Sequence, residues 1–112
     1  HGAIADALAE ASGEARLLCA GSRGEPSFED LICAGAIADA LLARKRDLAI
    51  TDATRAAHAA FTANARRLTT AIAAGTHARA LVAAGLAADV AACTKLAASR
   101  KRPRYADGRI TS

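Results

Sequence analysis

The stretch CAGSRGEPSFEDLICAG, residues 19–35, decides how this chain is read. A short apolar run, ARLLCA at 15–20, enters two glycines, Gly21 and Gly24, and leaves into an acidic helix start. A strand that breaks at glycine and feeds a helix N-terminus suits an anion. The glycines admit a close backbone approach, amide N–H groups are exposed, and the helix dipole favours negative charge. Gly21, Ser22, Arg23, Gly24 and Ser27 are therefore the candidate substrate-binding residues, with Arg23 adding a cation. The spacing is neither Gly-Lys-Ser/Thr nor a complete G-x-G-x-x-G, so by itself it is a weak signal.

Downstream of the loop, Ser27 reads as an N-cap, and Asp30 three residues on completes a capping box. The helix then runs from Phe28 to about Arg44, with Leu31, Ile32, Gly35 and Leu42 along one side. Glu29 and Asp30 lie in its first turn, where two roles are open. Acids there compensate the dipole, worth up to about 1 kcal/mol. They are also hard oxygen ligands, and Mg²⁺ takes one or two carboxylates together with waters and phosphate oxygens. Cys33, one turn beyond Glu29 on the same face, is a candidate catalytic thiol. Packing is its plainer role, because the sequence places no activating cation beside it.

The rest of the chain is alanine-rich helix. GAIADALAEA at 2–11 carries Ile4 and Leu8 on one face and stops at Ser12-Gly13. The repeat of GAIADAL at 35–41 reads as a coincidence of such composition. Arg44-Lys45-Arg46 closes the second helix with cations at its dipole's negative end. Thr51 or Asp52 starts a long helix to about Ala74, striped by Ala57, Phe61, Leu68 and Ile72. Shorter helices follow at 76–85 and 88–97, and Asp107-Gly108 reads as the turn of a terminal hairpin. His58 is expected to face solvent, while His77, at a helix start after Gly75-Thr76, is within reach of a site or merely exposed.

Composition bounds the reading. Of the 112 residues 34 are Ala, and Leu, Ile, Val and Phe together number 21, so the chain buries little area per helix. A thin core of this kind is expected to be completed by a missing segment or by a homo-oligomer. A start at His1 and the absence of Met are expected of a fragment. Residues 1–50 carry a net charge of −3 and residues 51–112 a net +7, an asymmetry that suits an anionic substrate or a solvated helix surface. Cys19, Cys33 and Cys93 show no zinc-like spacing; they read as free thiols of a cytoplasmic protein, with Cys19 and Cys93 as small buried hydrophobes. No apolar run approaches a membrane span.

Taken together, LLCAGSRGEPSFEDLICAGAIADAL closely resembles the central signature of the 2-phosphosulfolactate phosphatase family. HARALVAAGLAADVAACTKL is similar to that family's downstream stretch, and DGRI to its C-terminal strand. The resemblance covers essentially the whole chain. Members are about twice this length, and nothing here matches the Asp-Val-x-Arg-Ala-type motif of their first half, so residues 1–112 resemble the C-terminal portion. The resemblance implies an α/β protein: the helix-rich C-terminal half of a three-layer α/β/α fold with a mixed sheet. It implies Mg²⁺-dependent hydrolysis of (R)-2-phospho-3-sulfolactate to 3-sulfolactate and phosphate, a step of coenzyme M biosynthesis. Glu29 and Asp30 would then hold the metal, with Cys33 nearby and Gly21–Gly24 and Ser27 on the substrate.

Two other readings compete. The alanine-rich helices fit a non-catalytic interaction module, and the basic second half, ending in SRKRPR at 99–104, fits a small nucleic-acid-binding domain. The basic tail lacks interleaved aromatics, which makes nucleic acid the weaker partner.

Overall fold

In the computed structural model, which describes residues 1–96 and 98–111, the helix leaving the glycine loop is the axis of the fold. This helix, α2 (Phe28–Leu42), packs against both α1 (Gly2–Glu10) and α3 (Asp52–Asn64). Its buried residues are Ile32, Gly35, Ala36, Ala38 and Leu41. The expected stripe is thus rotated: Ile32 and Gly35 face inward, Leu31 is exposed and Leu42 half-buried. Small residues explain the rotation. Gly35 sits so close to α3 that a Cβ there would overlap the Ala57 carbonyl oxygen and lie 2.8 Å from Phe61 Cβ.

The core that results is small. Ile32, Ala36, Phe61 and Leu68 form it, with Phe28, Ala60 and Ile72 packed alongside. Burying a side chain such as Phe61 stabilises by about 1.5–3 kcal/mol, so a few residues carry the fold. Polar ties fasten α1 to the end of α2. Arg44 Nη2 lies 2.7 Å from Asp6 Oδ1, and Lys45 Nζ donates to the Ala11 carbonyl at 3.2 Å. Arg44 also donates from Nη1 to the Ala40 carbonyl in the last turn of α2, so it closes that helix as expected while holding α1. His58 is half-buried rather than solvent-facing, with Nε2 2.9 Å from Asp39 Oδ1 on α2.

The expected long helix over 51–74 is broken. Thr51 caps α3 as the sequence implies, its Oγ1 accepting the Thr54 N–H. At the other end Asn64 Nδ2 donates to the Ala60 carbonyl at 2.8 Å, which offers that carbonyl an alternative to the helical ladder. A 3₁₀ turn (Ala65–Arg67) follows, then α4 (Leu68–Ala73). Ala57, Phe61 and Leu68 are still buried, so the stripe survives the break. Next come α5 (Thr76–Ala83) and α6 (Ala87–Cys93). The buried Thr94 donates to the Ala91 carbonyl and so accepts from Thr69, tying the end of α6 to α4. The helix expected over 88–97 thus ends at Cys93; Ala97 lies outside the described residues.

One expected element does not form. Residues 15–20 are irregular and exposed, not a buried strand, and Leu18 is 92% exposed. No strand lies beside them among the described residues, so their N–H and C=O groups find no ladder. The sheet that is described is one antiparallel hairpin, β1 (Arg104–Ala106) and β2 (Arg109–Thr111), pairing Tyr105 with Ile110. Its turn is at Asp107-Gly108, as expected. The architecture is helix-rich α/β with a small antiparallel sheet. Cys19, Cys33 and Cys93 are free, but Cys19 and Cys93 are exposed rather than buried. Cys19 belongs to the unpaired run, and Val90 and Thr94 take the inward positions around α6. No helix among the described residues is long and apolar enough to cross a membrane.

Candidate functional site

The glycine loop closes on itself. Ser22 N–H donates to the Glu25 carbonyl at 2.9 Å, and Glu25 N–H donates back to the Ser22 carbonyl at 3.0 Å. Arg23 and Gly24, the two residues between, have φ of 54° and 82°, the signature of a type I′ turn. Positive φ is strained for arginine, so the turn holds Arg23 in a conformation that its side chain disfavours. Gly21 also has positive φ, and a Cβ there would lie 2.6 Å from the Glu25 carbonyl oxygen. Only glycine fits.

Asp30 fastens this loop to α2. Its Oδ2 accepts the Gly21 N–H at 2.8 Å across nine residues of chain. The capping box expected from Ser27 and Asp30 is not formed: Ser27 is the N-cap and is buried, but its side chain makes no capping bond. The carboxylate has gone to the loop amide instead, a charge-assisted bond of the stronger kind.

Loop, α2 and α5 together line an open cavity of about 350 Å³. Ser22, Arg23, Glu25 and Ser27 line it from the loop, Phe28 and Glu29 from α2, and Thr76, His77 and Ala80 from α5. His77 bridges two of these walls. Its Nδ1 is 3.3 Å from Ser22 Oγ, and its Nε2 is 3.9 Å from Glu29 Oε1. Gly75, just before α5, passes close to Glu29 and Phe28, which brings the α5 start to the cavity.

Of the residues expected from sequence, Ser22, Arg23, Ser27 and Glu29 line the cavity. Gly21 and Gly24 shape the turn behind it, and Asp30 holds Gly21. Cys33 is exposed on α2 and is not a lining residue. Glu25 joins the site unforeseen, and His77, read from sequence as either within reach of a site or exposed, lines it. The position of His77 at a helix start was visible in sequence; its contact with a serine 55 residues away was not. Among the described residues there is no group of three or more His, Cys, Asp and Glu side chains placed to hold a metal ion.

These features define an α/β domain with a cavity beside a tight glycine turn, lined by an arginine, hydroxyls, an imidazole and two carboxylates from three facing elements. The chain belongs to the 2-phosphosulpholactate phosphatase family, whose model matches residues 1–108 of the 112. No curated protein matches the chain.

Proposed function

We propose that the cavity is a phosphatase site that hydrolyses (R)-2-phospho-3-sulfolactate to 3-sulfolactate and phosphate, as in coenzyme M biosynthesis. The observation that carries this reading is the convergence of Ser22, Arg23, Glu29 and His77 on one small cavity in a chain of this family. Hydrolysis of a phosphate ester needs charge on the phosphoryl oxygens neutralised and the attacking and leaving groups held in line. Arg23 supplies a cationic donor for those oxygens, while the Gly21 and Ser22 amides are already bonded to Asp30 and to the Glu25 carbonyl. The net +7 of residues 51–112 favours a substrate that also carries sulfonate and carboxylate.

Magnesium would need only one or two carboxylates at this cavity, since phosphate and water complete its shell. Glu29, a lining carboxylate, would hold it; Asp30, expected as a second ligand, does not line the cavity, and its Oδ2 accepts the Gly21 N–H instead. Bound there, the ion supplies further neutralisation of the phosphoryl oxygens. The three free thiols are in keeping with a reducing cytoplasm. The exposed run 15–20 is in keeping with a neighbour, either another segment or a second copy.

The reading is tested by phosphate release from 2-phosphosulfolactate by the full-length protein with and without Mg²⁺. Turnover that depends on the metal is the expected result, and none under either condition sinks the reading. Arg23→Asn separates the arginine's two roles. Asn tolerates positive φ, so stability rises by roughly 0.5–1 kcal/mol. Loss of the guanidinium raises KM roughly tenfold, the effect of one charge-assisted contact. A variant in which stability and KM both stay put removes Arg23 from the site.

A further inference from the structure

Ser22, His77 and Glu29 form a chain of contacts whose order has a chemical meaning. Glu29 Oε1 stands on the Nε2 side of the His77 ring, 3.9 Å away, and Ser22 Oγ stands on the Nδ1 side at 3.3 Å. A neutral imidazole carries its proton on one ring nitrogen, here taken as Nε2. Nδ1 is then a bare acceptor facing the serine hydroxyl. All three side chains line the same cavity, and Arg23, next to Ser22, lines it as well. A hydroxyl and an imidazole at the long edge of hydrogen-bond reach are the nucleophile and base of covalent catalysis, contacts that tighten when substrate binds. Glu29 stands beyond that reach on the far side of the ring.

We propose that Ser22 Oγ is the group that attacks phosphorus, with His77 Nδ1 carrying its proton; this rests on the phosphatase reading above. In the first step a bond forms between Ser22 Oγ and phosphorus, and the bond from phosphorus to the ester oxygen breaks. The Ser22 proton passes to His77 Nδ1 and on to the departing oxygen, releasing the alcohol and leaving phosphoserine. In the second step water attacks the same phosphorus. Its proton returns through His77 to Ser22 Oγ as the serine–phosphorus bond breaks, giving free serine and inorganic phosphate. No oxidant or co-reactant beyond water is consumed. The fixed turn of residues 22–25 holds the hydroxyl in place, with both Ser22 backbone groups bonded to Glu25.

The experiment is an acid quench of the full-length protein during turnover of 2-phosphosulfolactate with Mg²⁺, followed by mass spectrometry of the tryptic peptide 17–23. Ser22 is the one hydroxyl side chain in that peptide. One added phosphoryl group on it is expected, absent from Ser22→Ala, whose turnover falls about a thousandfold with an unchanged circular dichroism spectrum. His77→Ala should slow labelling about a hundredfold, and added imidazole should restore it, a rescue that a purely structural histidine does not give. Turnover without any label, or a Ser22→Ala variant as active as its parent, overturns the assignment and leaves the phosphatase reading standing. Absence of turnover in the parent protein overturns both.

Discussion

Glu29→Gln is expected to lower phosphatase turnover by at least about two orders of magnitude, and to leave the fold in place. The substitution keeps the shape of the side chain and removes its charge. If Glu29 only offset the dipole of α2, the change would cost no more than about 1 kcal/mol of stability, and turnover would survive. Its position argues otherwise, because it lines the cavity and faces His77. A lost electrostatic contribution to a phosphoryl-transfer transition state is worth about 2.7 kcal/mol, which is the hundredfold quoted. Metal dependence separates two uses of the carboxylate. As a metal ligand, Glu29→Gln is partly rescued by raising Mg²⁺, since mass action offsets a weakened site. As a partner of His77 alone, it is not. The measurement is turnover of parent and variant across a Mg²⁺ titration, and equal rates at every concentration remove Glu29 from the site.

Gly35→Ala is expected to be the most destabilising single methyl in the molecule, costing about 3 kcal/mol and lowering the melting temperature by on the order of 10 °C. The added carbon would meet backbone, the Ala57 carbonyl, as well as Phe61 Cβ, and a main chain cannot swing aside as a flexible side chain does. Relief requires α2 and α3 to separate along the contact that carries the core. Helix propensity alone forecasts the opposite sign, because Ala favours a helix over Gly by close to 1 kcal/mol. Gly2→Ala supplies the comparison: nothing lies within 4 Å of its new carbon, so propensity acts unopposed. Thermal melts of both variants decide the matter. A Gly35→Ala protein that melts with its parent would mean that α2 and α3 are not in contact at this position.

Both results turn on features of unequal legibility. Gly21, Ser22, Arg23 and Gly24 were readable as a loop because glycines punctuate a chain locally, and Ser27 was readable as the start of a helix for the same kind of reason. Thr51 as a cap and Asp107-Gly108 as a hairpin turn also hold, since each depends on groups within a few residues. Asp30 shows where local reasoning stops. Its nearest use in sequence was the capping box, yet its carboxylate accepts the Gly21 amide on the far side of the loop. The run at 15–20 shows the same limit from another side. Its apolar composition fits a strand, but a strand exists only when a neighbour completes its hydrogen bonds, and none is described beside it.

The sequence by itself determined the family, through the motif at 17–41, and several turns and helix starts, those at Ser27, Thr51 and Asp107-Gly108 among them. It did so because those signals are short-range preferences of the backbone. Only the tertiary structure decided that Gly35 is a contact point, that the helix after Thr51 breaks at Asn64, and that His77 meets Ser22 and Glu29. Those outcomes follow from which helices come close in space. In a chain where 34 of 112 residues are alanine, many helix faces offer nearly the same small, apolar surface, and packing rather than pattern chooses among them.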